Sequence, residues 1–124
     1  MKKTVHVFVL CFVLSALGIM GARATDDWLP NFEDVPMMEK TYTIADDGFV
    51  YSQPDGKIVQ ATVASDVVTR RQLQRFYRDA LKELGWKNIK DDSKIQIFQR
   101  GGDELKIEIV ETTPLSARFI LAPK

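Results

Sequence analysis

Between Thr69 and Trp86 the chain reads TRRQLQRFYRDALKELGW, and no other stretch limits the fold as tightly. Leu73, Phe76, Tyr77, Ala80, Leu81 and Leu84 fall at offsets 0, 3, 4, 7, 8 and 11, which is one face of an α-helix. Thr69 offers an N-cap hydroxyl, and Gln72 three residues later the returning amide of a capping box. Val68 and Leu73 hold the two positions of a hydrophobic staple. Gly85 is the expected left-handed residue past the end, with Trp86 folding back onto Leu81 as in a Schellman ending. Such a helix needs a flat apolar surface to cover. Each fully buried large side chain contributes about 1.5–3 kcal/mol, so this face rivals the net stability of a small domain before entropy is subtracted.

The surface is supplied by strands. Gly48–Ser52 and Lys57–Ala64 are β-rich, and Gln53-Pro54-Asp55-Gly56 joins them as a turn. After a linker at 88–93, three further runs alternate. The reading assigns Ile95, Ile97 and Gln99 to one face, with Leu105, Ile107 and Ile109, then Ala117, Phe119 and Leu121. Gly101-Gly102 turns the first pair, and Thr112–Ser116 links the second. The order ββαβββ predicts an α+β two-layer sandwich, one amphipathic helix on one face of an antiparallel sheet. Residues 44–124 are expected to form this single domain. Residues 25–43 carry Pro30 and Pro36, which break a helix, and an apolar load too large for a disordered tail. They are expected to form an extended arm lying against it.

The first 24 residues read as a signal peptide. Lys2 and Lys3 precede an apolar run from Val5 to Met20, and Ala22-Arg23-Ala24 places small residues at the cleavage positions. Cleavage is expected after Ala24, giving a periplasmic or secreted product. Cys11 and His6 are the only cysteine and histidine in the chain, and both leave with the signal. A disulfide, a thiol nucleophile, a Cys/His zinc site and a Ser-His-Asp triad are then excluded. No cofactor or metal site is expected. The remainder holds 14 Lys and Arg against 17 Asp and Glu, unevenly placed. Residues 25–66 carry nine acids and two lysines, and residues 67–124 carry twelve bases and eight acids. Either the halves attract within one fold, the favoured reading, or the asymmetry marks an interaction surface.

Two constellations stand as candidate sites. Arg71, Arg75, Arg78 and Lys82 fall within about 60° of one another around the helix, pointing away from its core face. This stripe is either a solvated surface or a site for anionic lipid, lipopolysaccharide or an acidic protein. Phe98, Val110 and Ile120 fall on the sheet face opposite the helix. The arm, an envelope protein or a second copy of the chain is expected to cover them. Acid pairs at Asp26-Asp27, Asp46-Asp47 and Asp91-Asp92 do not have calcium-loop spacing. One helix over one sheet offers little cleft for a carboxylate-dependent hydrolase, so no catalytic residue is assigned.

The stretch QRFYRDALKELGW, preceded by DGKIVQATVASDVV, resembles a group of small exported bacterial proteins. In that group a G-(K/R)-I strand leads into a helix of form F-Y-x-x-x-L-x-x-L-G-W. Glu33–Met38, EDVPMM, is similar to the group's DVPLMPG opening, with Glu39-Lys40 where the group has Pro-Gly. The resemblance implies export and this fold, and supplies no mechanism. Together these readings point to a non-enzymatic envelope protein that binds another protein. Peripheral binding of anionic lipid is the alternative, and a hydrolase the least favoured. Nucleic acid is not an expected partner of an exported, net acidic product.

Overall fold

The computed structural model describes residues 28–124. The expected signal segment, with His6 and Cys11, lies outside them. The strands are β1 (Tyr42–Thr43), β2 (Phe49–Gln53), β3 (Gly56–Ser65), β4 (Lys87–Asp91), β5 (Ile95–Arg100), β6 (Asp103–Thr112) and β7 (Leu115–Pro123). The helix α1 spans Arg70–Glu83. All strand pairs are antiparallel, in the order β1-β3-β7-β6-β5-β4, and β2 also pairs with β3. The fold is therefore the α+β arrangement of one helix against one antiparallel sheet. Two strands exceed the expected ββαβββ. β1 is only two residues long, and β4 occupies the expected linker with every residue exposed. A strand with no buried side has no alternation to betray it.

The helix begins and ends as its sequence dictates. Gln72 N donates to Thr69 Oγ1 at 3.2 Å, and Thr69 N donates to Gln72 Oε1 at 2.9 Å. At the other end Trp86 N donates to Leu81 O and Gly85 N to Lys82 O, with Gly85 at φ 92°. This is the Schellman pattern, in which glycine carries the left-handed turn. Leu73, Tyr77 and Leu81 are buried, and Trp86 joins them in the core. Arg100 fastens this corner: its guanidinium lies 4.5 Å from the Trp86 ring centroid, donates to Leu84 O and pairs with Asp34 at 2.7 Å.

The segment before β1 is not an extended arm. Leu29 N donates to Val35 O, Phe32 N to Leu29 O, and Trp28 bridges Pro36. Asn31 at φ 70° makes the tight reversal possible. The folded segment buries Leu29, Phe32 and Val35 in the same cluster as the helix. Tyr77 ties the two together, donating to Pro36 O at 2.8 Å and accepting from Met38 N at 3.3 Å. The segment completes the helix layer. It does not cover the opposite sheet face.

The phase expected for β5 is also corrected. Gln96 and Phe98 are buried on the helix side, and Ile95 and Ile97 are half-buried on the other. Phe98 is opposite Leu105, and Leu105 is opposite Leu121. Directly opposed residues share a face, so a core-facing Leu105 carries Phe98 into the core with it. Gln96 is buried with its Nε2 donating to Gln74 O of the helix and to Asp91 Oδ1, while its Oε1 finds no partner among the described residues. Val110 is exposed at a bulge between Ile109 and Glu111. Ile120 sits on the open face between Lys106 and Gln60. Phe98, Val110 and Ile120 therefore form no common surface.

Candidate functional site

A polar concavity lies in the seam between α1 and the β4–β5 turn. It is a groove of about 300 Å³ lined by Arg70, Arg71, Gln74, Arg75, Arg78, Asp91, Asp92 and Ser93. The helix sets its wall. Residues 71, 75 and 78 follow one another at helical spacing, and Arg70 joins them from the first turn. Three of the four stripe residues thus meet in one groove, which the sequence did not foretell. Lys82 lies beyond it, in an adjoining groove with Arg78, Trp86, Lys87, Asn88 and Phe98. The expected stripe pointed wholly to solvent; instead it runs along the β4 edge of the sheet.

Gln74 is the floor, and it is a buried polar residue where the helical pattern promised a solvated one. Its Nε2 donates to Asp92 O at 3.0 Å, and its Oε1 accepts from Arg70 Nη1 at 2.8 Å. It thereby pins the helix to the turn and aims Arg70. The turn itself is built by Asp92, whose Oδ1 accepts from Lys94 N at 2.9 Å and Ile95 N at 2.8 Å. Those bonds, that from Ile95 first, hold the Asp92 carboxyl below its usual range. Arg78 donates through Nε to Asp91 Oδ2 at 2.7 Å. That hydrogen bond lifts the guanidinium above its ordinary value.

The cations are therefore unequally committed. Arg78 is paired with Asp91, and Asp92 lies 3.8 Å from Lys90. Among the described residues no carboxylate lies within 4.0 Å of Arg70, Arg71 or Arg75 in an ion pair. Each guanidinium presents five N–H donors in a planar fork suited to carboxylate or phosphate oxygens. Chemically the groove offers N–H donors that an anion could accept.

Of the four ion pairs among the described residues, only Arg100–Asp34 joins the acidic first half to the basic second. The basic seam lies at the β4 edge, while Asp46, Asp47 and Asp55 flank β2 at the opposite edge. Among the described residues no three His, Cys, Asp or Glu side chains gather as metal ligands, and no helix is long and apolar enough to cross a membrane. Comparison with protein-family models, curated proteins and solved structures finds no match for this chain.

Proposed function

We propose that this chain is an exported, non-enzymatic binding domain of the bacterial envelope, and that its α1–β4 groove holds the phosphate of an anionic lipid headgroup. The observation that carries the reading is the convergence of Arg70, Arg71 and Arg75, none carboxylate-paired among the described residues, on one groove. Lys82 and Lys87 extend the same positive edge. Export is supported by the lysines, apolar run and Ala22-Arg23-Ala24 at the start of the sequence. The sheet face first considered for a protein partner loses its central residue, because Phe98 lies beneath the helix.

Each basic residue near an anionic surface contributes about 1 kcal/mol. Sedimentation of the purified protein with phosphatidylglycerol vesicles is expected in low salt and not in about 0.5 M salt, where screening is short-ranged. Phosphatidylcholine vesicles are expected to leave it in solution. Vesicles carrying lipopolysaccharide test the second source of the same phosphate chemistry. Arg71→Glu with Arg75→Glu changes four charges, on the order of 4 kcal/mol, and is expected to abolish sedimentation. Lys106→Glu on the open sheet face is expected to leave it intact. Binding that ignores the paired reversal sinks the reading, as does absence of binding to both anionic surfaces in low salt.

A further inference from the structure

The two edges of the sheet are defended differently. An unpaired edge strand presents a row of backbone N–H and C=O groups, and natural sheets protect such edges with charge, proline or bulges. β4 follows the rule: Lys87, Lys90 and Asp91 fall within it, and a bulge interrupts it at Ile89. β2 does not. Its sequence is Phe-Val-Tyr-Ser-Gln, with no charge and no proline, and it pairs with β3 without a register shift from Phe49 to Gln53. All five residues are exposed.

Apolar side chains gather at the same edge. Trp28, Tyr42, Ile44, Phe49, Val50 and Tyr51 are each between 37% and 59% exposed. They are six of the nine exposed large apolar side chains among the described residues. Trp28 and Val50 line a groove of about 470 Å³ on the helix side of this edge. Phe49 and Tyr51 share the other face, because they oppose Gln60 and Ile58. An added strand would thus find backbone partners between two rows of apolar contact.

Charge selects the occupant. Asp46 and Asp47 precede β2 and Asp55 follows it. A second copy pairing antiparallel with itself would bring these acids together at both ends. A segment with basic ends meets Asp46 and Asp47 at one end and Asp55 at the other, the second end moderated by Lys57 of β3.

We propose that β2 captures an extended segment of another protein by strand addition, and that this segment alternates apolar residues between Lys or Arg at its two ends. The test uses two synthetic peptides with one core, Val-Thr-Val-Tyr-Val, flanked by two lysines or by two glutamates at each end. Fluorescence anisotropy with the purified protein is expected to show saturable binding of the lysine form, at least tenfold tighter than the glutamate form. Bound peptide is expected to slow amide exchange within Phe49–Gln53 at least tenfold. Val50→Lys with Tyr51→Lys, both at exposed positions, is expected to lose binding while keeping the melting temperature. Arg71→Glu with Arg75→Glu is expected to keep it, which separates this edge from the groove. Equal affinity for the two peptides, or binding indifferent to the double lysine change, overturns the proposal. So does a peptide-free protein that sediments as a dimer with the Phe49–Gln53 amides already protected, since the edge then belongs to a second copy.

Discussion

Tyr77 holds together parts of the core that the chain supplies far apart. Its ring packs edge-on against Phe119 of β7, with centroids 5.0 Å apart, and its hydroxyl serves Pro36 and Met38. Burial pushes the phenol well above the tyrosine range, against a smaller opposing effect of the Met38 N–H. Its unfolded value is about 10. A phenol whose pKa is raised by folding contributes stability that is fully present below about pH 10 and is lost as pH rises beyond it. Alkaline titration is therefore expected to release the Tyr77 tyrosinate signal, obtained by difference from Tyr77→Phe, only together with loss of helical circular dichroism. Ionisation of Tyr77 in a protein that stays folded contradicts this. The Phe variant leaves a carbonyl and an N–H without their partner, at a cost of about 1–3 kcal/mol. Lys40 is the opposite case, a residue whose own conformation opposes the fold. It sits at φ 65°, in the left-handed region. The left-handed region costs a non-glycine residue roughly 1–2 kcal/mol, partly offset by the unfolded-state entropy that glycine adds. Lys40→Gly is expected to raise stability by about 0.5–1 kcal/mol, visible as a higher melting temperature. Lys40→Ala, which keeps the Cβ, is expected to give no such gain, and a Gly variant that melts no higher refutes the strain.

At the scale of elements, legibility followed the number of independent signals each segment carried. The helix had a cap, a face and a stop, and all three appear where the residues put them. The hairpin turns at Pro54-Asp55 and Gly101-Gly102 were equally readable. The phase of β5 is ambiguous because Ile95-Gln96-Ile97-Phe98 offers apolar residues on both faces. The sequence nevertheless held the correction. A two-residue turn at Gly101-Gly102 pairs Arg100 with Asp103, hence Phe98 with Leu105, and an inward Leu105 then forces Phe98 inward. Turn geometry outranks the hydrophobicity of a single ambiguous strand. β4 and the folded segment at 28–36 lacked any such signal. One has no buried side, and the other owes its reversal to Asn31 at a positive φ that composition alone does not announce. The groove was half legible: the spacing of Arg71, Arg75 and Arg78 was in the helix, but the opposing wall belongs to β4.

For the whole molecule, sheet order turns a one-dimensional charge imbalance into a direction in space. Five inter-strand steps separate β2 from β4, which at about 4.8 Å each amounts to about 24 Å. That is more than twice the screening length of about 10 Å at 0.1 M salt, so each edge acts on its surroundings without the other. An anionic surface attracts the β4 edge and repels the acids around β2. The bound protein should therefore stand with β4 toward the lipid and β2 toward water, its strand-accepting edge open. This orientation is measurable. A fluorophore placed by Ile89→Cys, at an exposed position of β4, is expected to be strongly quenched by a quencher attached to phosphatidylglycerol headgroups. The same fluorophore placed by Tyr51→Cys on β2 is expected to be nearly unaffected. Residues 25–124 contain no cysteine, so each variant carries a single thiol. Equal quenching at the two positions means the protein lies flat or binds in no fixed pose. Quenching at Tyr51→Cys alone means the acidic edge is the one that approaches, and the arginine groove is then not what recognises the lipid.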